Sequence, residues 1–106
     1  MLRYLGPAAL AGIVLAVSVA GWSADSPSIN IDNFTFSPKA LTVAKGTEVT
    51  WTNRDDIPHS IVLTALGARS KALDSDASFT YRFDKAGTFS YMCGLHPAMK
   101  GQIVVN

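Results

Sequence analysis

The chain has one cysteine and two histidines among its 106 residues. A single cysteine cannot form an intramolecular disulfide, so the covalent cross-link that stabilises many small domains is excluded. Basic runs are also missing, since nine basic and eight acidic residues are spread along the chain. Nucleic-acid binding depends on clustered Lys and Arg, so we expect no nucleic-acid partner.

The first 24 residues differ in composition from the rest of the chain. Arg3 precedes an uncharged run, Tyr4–Trp22, whose densest apolar part is Ala8–Val17. This pattern is typical of a signal peptide, so we predict a leader at residues 1–24 and export to the periplasm. A retained membrane anchor is the alternative, because the uncharged run is just long enough to cross a bilayer.

Residues 25–106 are enough for one domain with one core. Apolar and polar residues alternate there, and turn residues separate the alternating segments, which predicts an all-β domain. About seven to eight short strands favour a β-sandwich, with residues 64–77 as a loop or a short helical turn. The predicted strands are Ser28–Phe36, Ala40–Ala44, Thr47–Thr52, His59–Leu63, Ser78–Phe83, Thr88–Cys93 and Gln102–Val105.

The segment "YMCGLHPAMKG" contains three potential soft-metal ligands at intervals of three residues. They are Cys93, His96 and Met99. Pro97 disfavours a helix through this segment, so we predict a tight loop. Such a loop returns His96 and Met99 toward the sulfur of Cys93.

A fourth ligand has to come from another part of the chain, and His59 is the only other histidine. Alternate residues of a strand share a face, so Cys93 continues the row of Tyr91 at the edge of the core. The same parity turns Met92 away from Cys93 and leaves Met99 as the methionine ligand. Each residue alone is more often a packing or surface residue, and their coincidence is what favours a metal site.

The type of ligand indicates the metal. Hard cations reject a set of one thiolate, two imidazoles and a thioether, and methionine is a poor ligand for zinc. Copper accepts all four groups, and two histidines, one cysteine and a long axial methionine form a blue-copper electron-transfer site. We therefore predict one type 1 copper ion and single-electron transfer.

Four segments together resemble the cupredoxins of the plastocyanin/amicyanin family. They are "FTFSPKALTVAKGTEVTWTN", "IPHS", "FDKAGTFSYMCGLHPAMKG" and "QIVV". The two-residue spacers between Cys93, His96 and Met99 are most similar to those of amicyanins. The resemblance implies a Greek-key β-sandwich and a soluble electron carrier whose copper cycles between Cu(I) and Cu(II).

The resemblance also implies a role for each ligand. Cys93 would give the strong thiolate bond, His59 and His96 the equatorial imidazoles, and Met99 the weak axial bond. His96 would be the exposed ligand, where redox partners dock. The implied donor and acceptor are redox proteins, such as a dehydrogenase and a c-type cytochrome, and we expect a monomer without a small-molecule substrate.

Three positions depart from the family pattern. Ser60 stands where an asparagine is usual, Leu95 replaces a proline before the second histidine, and Ala98 replaces a bulkier aromatic residue. Leucine keeps its backbone N–H, so we expect Leu95 to donate a hydrogen bond to the sulfur of Cys93.

Two other functional classes would call for different sequence features. A periplasmic copper-handling protein, which delivers or buffers copper, would have a more open site with further Met or His residues nearby. An enzyme using Cys93 and His96 would need an orienting acid and an oxyanion hole, and neither is evident. A multicopper oxidase needs more than two histidines. We therefore expect an electron carrier and no enzymatic activity.

Overall fold

The computed structural model describes residues 26–106, so the predicted signal peptide lies outside the described residues. Within residues 26–106, none of the helical segments is long and apolar enough to span a membrane. This part of the chain forms strands β1 (Ser28–Asp32), β2 (Thr35–Ser37), β3 (Ala40–Val43), β4 (Thr47–Asn53), β5 (Val62–Leu63), β6 (Ala68–Arg69), β7 (Ser78–Phe83), β8 (Gly87–Met92) and β9 (Lys100–Val105), with one 3₁₀ turn at Thr64–Leu66.

The strands form two sheets. One has the order β2-β1-β4-β7 and the other β3-β9-β8-β5-β6. The pairs β1–β4 and β3–β9 are parallel, whereas the other pairs are antiparallel. The predicted all-β sandwich is confirmed.

The core lies between the two sheets and consists of the inward residues of each alternating strand. In β4 these residues include Val49 and Trp51, and in β8 they include Phe89 and Tyr91. Tyr91 packs edge-to-face across the core, with ring-centroid distances of 5.3 Å to Trp51 and 4.7 Å to Phe36. Burying each such side chain contributes about 1.5–3 kcal/mol, so these rings hold the sheets together.

The predicted strand Ser28–Phe36 is wrong in one respect, because a hairpin turn divides it into β1 and β2. Asn33 and Phe34 both have positive φ, 52° and 57°, and Asp32 pairs with Thr35 across the turn. Glycine usually occupies such a turn, so the absence of glycine concealed it from the sequence pattern.

The predicted strand His59–Leu63 is also shorter than expected, since only Val62–Leu63 forms a strand. Pro58 has no N–H to donate to a ladder. The N–H of Ile61 donates to the side-chain hydroxyl of Ser70 at 2.9 Å and not to a backbone carbonyl. The backbone ladder is therefore interrupted immediately before β5.

Tyr91 provides a test of the core. Only 3% of its surface is exposed, and burial raises the pKa of its phenol to about 12. An unfolded tyrosine ionises near pH ~10. Between these two pH values the unfolded chain loses a proton that the folded chain keeps, so stability falls as pH rises through this window.

We predict that Tyr91 ionises near pH ~12 in a chain carrying Tyr4→Phe and Tyr81→Phe, where it is the only tyrosine. Ultraviolet absorbance of the tyrosinate measures this directly. Ionisation of Tyr91 in the unfolded chain should lower the free energy of unfolding by up to about 2 kcal/mol as the pH rises from ~10 to ~12. Urea unfolding at the two pH values measures this decrease, and Tyr91→Phe should abolish it. Ionisation near pH ~10 with an unchanged circular dichroism spectrum would contradict the prediction.

Candidate metal centre

The loop that carries three predicted ligands connects β8 to β9. Met92 pairs with Lys100 at its base. The N–H of Cys93 donates to the carbonyl of Met99 at 3.1 Å, and the N–H of Met99 donates to the carbonyl of His96 at 2.9 Å. The loop thus folds back on itself as predicted, and strand pairing fixes both of its ends.

His59 is held by a short bridge to a second loop. Its N–H donates to the carbonyl of Leu73 at 3.2 Å, and the N–H of Leu73 donates back at 2.7 Å. The side-chain amide of Asn53, which is fully buried, donates to the carbonyls of Leu73 and Ile57, both at 2.9 Å. Asn53 at the end of β4 therefore organises the segment that presents His59.

The two segments bring Cys93 and both histidines together. The sulfur of Cys93 lies 3.7 Å from Nδ1 of His59 and 3.8 Å from Nδ1 of His96. One ligand atom from each of the three residues lies within 4.8 Å of the others. His59 and Cys93 are fully buried and His96 is half-buried, so His96 is the more exposed histidine.

The remaining predicted ligand, Met99, is a buried residue of the core at the end of the loop, with 7% of its surface exposed. Met92 is half-buried and lies on the opposite face of β8 from Tyr91, in agreement with the parity argument. The thioether of Met99 as the axial donor remains a prediction.

A carboxylate that sequence reasoning missed orients the buried imidazole. Oδ2 of Asp55 lies 2.7 Å from Nε2 of His59. A carboxylate accepts the Nε2 proton, so this contact favours the tautomer whose Nδ1 lone pair faces the sulfur of Cys93. Nδ1 is the atom that a metal at this position would need.

The same carboxylate also accepts the backbone N–H groups of Asn33 at 2.6 Å and Phe34 at 3.0 Å. Desolvation by burial acts to raise the pKa of Asp55, but these hydrogen bonds and the contact with His59 outweigh it and lower the pKa. Asp55 is therefore held as an anion that joins the β1–β2 turn to His59.

Ser60 connects the two ligand-bearing segments, although its side chain is shorter than the usual asparagine. Its hydroxyl accepts the N–H of Gly94 at 2.9 Å, and its own N–H donates to the sulfur of Cys93 at 3.3 Å. The bond expected from Leu95 to this sulfur is not formed in the described part of the chain, so that expectation is wrong. Ser60 supplies the N–H donor instead.

Apolar side chains surround the exposed edge of His96. Leu95 and Phe34 each expose 50% of their surface. Phe34, Asn53 and Asp55 were absent from the sequence-based site. The signal that could have found Asp55 is its spacing of four residues before His59, whereas Phe34 depends on the unpredicted turn.

We predict that Ser60→Ala destabilises the metal-free domain by about 1 kcal/mol, because the N–H of Gly94 loses its acceptor. Urea unfolding with Ser90→Ala as a control measures this effect. Ser90 is an exposed residue of β8, so its replacement should change stability by less than ~0.5 kcal/mol. Equal stabilities of the two variants would show that the bridge contributes nothing.

Known proteins are similar to this chain over most of its length. Amicyanin-alpha of Methylorubrum extorquens is 31% identical over 100 residues, which cover 90% of this chain and 82% of that protein. A chloroplastic plastocyanin of Tetradesmus obliquus is 33% identical over 112 residues, covering 92% of this chain and 75% of that protein.

Solved structures of amicyanin variants are similar in fold. An oxidized form has a TM-score of 0.72 at 30% identity, covering 76% of this chain and 82% of that one. A Cu(I) form has a TM-score of 0.73 at 31% identity, covering 78% and 85%. Copper is the metal named for one of these relatives, and the predicted copper cofactor is confirmed by this similarity. The family model for the cupredoxin-like domain matches residues 7–105, and the chain belongs to the cupredoxin family.

Proposed function

We propose that this chain carries single electrons between redox proteins through one copper ion held by His59, Cys93, His96 and Met99. The observation that carries the proposal is the convergence of two imidazole Nδ1 atoms on one thiol, at 3.7 and 3.8 Å. Bound copper supplies a one-electron couple between Cu(I) and Cu(II). Relatives solved in oxidized and Cu(I) forms support the same couple here.

The residues present fit a copper ion. A fully buried cysteine facing two imidazoles is a soft donor set. The atoms that face the sulfur are Nδ1 of His59 and Nδ1 of His96. Each has a lone pair for a metal when the proton is on Nε2. Asp55 holds the proton of His59 on Nε2, away from the site. The N–H of Ser60 donates to the sulfur and stabilises its negative charge.

The chain's own residues provide what electron transfer requires. Strand pairing holds both ends of the ligand loop, so the donors move little when the charge of the site changes. His96 is half-buried and reaches the surface, which gives a short path between the site and a docked partner. The buried His59 and Cys93 keep water away from the other side.

The uncharged rim of Phe34 and Leu95 around His96 supports docking of a redox protein, such as a dehydrogenase as donor or a c-type cytochrome as acceptor. Such partners fit export to the periplasm after cleavage of residues 1–24. They also fit a monomer that consists of the cupredoxin domain, residues 25–106. An anchored chain is the alternative location.

Two other functions have less support. Copper handling calls for an open site, whereas His59 and Cys93 have no exposed surface. An enzyme would need a substrate cavity beside the reactive groups. A cavity of about 840 Å³ lies on the outer face of the five-stranded sheet, and its lining does not include the four predicted ligands.

We predict that Cu(II) added to the full chain gives an intense thiolate-to-copper band that a mild reductant bleaches reversibly. Visible and EPR spectra measure it. Cys93→Ser should abolish the band, because the thiolate is its source. Met99→Leu should raise the reduction potential by removing a donor to Cu(II), whereas Met92→Leu, on the other face of β8, should not.

A weakly absorbing copper complex of the wild-type chain would instead indicate copper handling. If the chain bound no copper, the four predicted ligands would be packing residues and the proposal would be wrong. Equal potentials for Met99→Leu and Met92→Leu would remove Met99 from the ligand set while leaving the thiolate and the imidazoles in place.

We also predict that copper stabilises a domain that is already folded. Backbone pairing and Asn53 position both ligand segments without a metal. Copper at 100 times its dissociation constant should add about 2.7 kcal/mol and raise Tm by ~10 °C or more. Circular dichroism and thermal melts measure this effect, and a random-coil spectrum of the metal-free protein would contradict it.

A further inference from the structure

Phe34 occupies a backbone conformation that suits it poorly. Its φ is 57° and that of Asn33 is 52°, so both central residues of the β1–β2 turn are left-handed. Turns of this kind favour glycine at the second position, and a side chain such as phenylalanine is strained there. Half of its surface is also exposed. Strain of this kind at a functional site calls for a compensating contact.

The ring of Phe34 contacts both histidines of the metal centre. It lies edge-to-face against His59, with a centroid distance of 5.4 Å and an interplanar angle of 86°. Against His96 the distance is 5.2 Å and the angle 88°. Both values are typical of favourable aromatic pairs. One side chain from a distant hairpin therefore touches the two imidazoles at once.

Asp55 fixes the backbone that carries this ring. Its Oδ1 accepts the N–H of Asn33 and its Oδ2 accepts the N–H of Phe34. Oδ2 also lies 2.7 Å from Nε2 of His59. The turn and the imidazole thus share one carboxylate, which sets the distance between the ring and His59.

The imidazole of His96 has a long contact within its own loop, from its Nδ1 to the sulfur of Cys93 at 3.8 Å. His96 is half-buried, whereas His59 is completely buried. Its neighbour Leu95 exposes 50% of its surface. Among the contacts of the described residues, the aromatic packing of His96 is with Phe34 and with His59, at 5.2 and 5.0 Å. Phe34 therefore limits rotation of His96 toward solvent.

We propose that Phe34 is a positioning residue of the metal centre, which holds both imidazoles in their binding orientation and would thereby slow the release of bound copper. The role in copper retention rests on the proposed function. The orientation of the imidazoles in the metal-free protein does not.

The test compares full-length wild-type protein with Phe34→Gly, Phe34→Asn, Phe34→Tyr and Asp76→Gly. Glycine and asparagine suit a left-handed turn, so both variants remove the ring and should keep the fold. Tyrosine restores an aromatic ring. Asp76 is an exposed residue with φ of 68°, so Asp76→Gly relieves backbone strain at a position without ring contacts. The variant also removes an exposed ion pair with Arg54, and such a pair contributes little to stability.

The first measurement is NMR of the metal-free proteins. We expect nuclear Overhauser contacts from Phe34 to both imidazoles and one rotamer of His96 in the wild type. In Phe34→Gly and Phe34→Asn, His96 should average between rotamers, while Phe34→Tyr and Asp76→Gly should resemble the wild type. An equally ordered His96 without the ring would overturn the proposal.

The second measurement is the rate at which bathocuproine disulfonate removes Cu(I). Loss of two aromatic edge contacts should make removal about tenfold faster in Phe34→Gly and Phe34→Asn. Phe34→Tyr and Asp76→Gly should keep the wild-type rate. Equal rates in all variants, or failure of tyrosine to restore retention, would overturn the role of the ring.

The two proposals fail in different ways. If the wild-type chain gives no thiolate-to-copper band, the proposed function is wrong, and the metal-free NMR comparison still decides whether Phe34 orders the imidazoles. If the band is present but removal of the ring changes neither His96 nor copper release, only the inference about Phe34 is wrong.

Discussion

The antiparallel pairing of β8 with β9 is the constraint on which the ligand loop depends. Met92 and Lys100 face each other at the last position of this ladder, and the chain between them must return within a few residues. The N–H of Cys93 and the carbonyl of Met99 continue the pairing for one more step. Three predicted ligands are consequently placed by a backbone ladder without a metal, which under the proposed function would limit rearrangement of the site on electron transfer.

His59, the predicted ligand outside this loop, is placed by polar groups at the end of the other sheet. Asn53 is buried at the end of β4, and the two hydrogen bonds that its side-chain NH₂ donates support the segment around His59. A buried amide is favourable only when its hydrogen bonds are formed, so Asn53 specifies the path of this segment. Asp55 connects this segment to the β1–β2 turn, because its carboxylate contacts both the imidazole of His59 and the N–H of Asn33.

The sequence was informative about the ligands because cysteine and histidine are rare in this chain. Spacing and strand parity placed Cys93 and His96 in one loop, and His59 was the only histidine left to complete the site. Alternation likewise identified most strands, but it reports which face a side chain occupies and not whether the backbone ladder continues. Before β5, the N–H of Ile61 donates to the hydroxyl of Ser70 and not to the carbonyl of a neighbouring strand. The alternation of apolar and polar residues does not show this change of acceptor.

Phe34, and the link from Asp55 to the β1–β2 turn, were not predictable for a related reason. Asp55 and Phe34 are 21 positions apart, and they meet through a turn that lacks the glycine by which such turns are recognised. A residue in an unfavourable conformation looks unremarkable in a sequence, because the strain becomes visible only with the backbone angles. The supporting groups of the site were therefore found only in the structure, whereas its predicted donor residues were proposed from the sequence.

The directions of β1 and β9 determine where their outer ends lie relative to the site. β1 runs toward the turn that carries Phe34, and β9 runs away from the ligand loop. The beginning of β1 and the end of β9 consequently lie at the pole of the sandwich opposite the predicted copper ligands. A leader retained as an anchor would join the domain at that far pole, so the edge of His96 would point away from the bilayer and stay open to a diffusing partner.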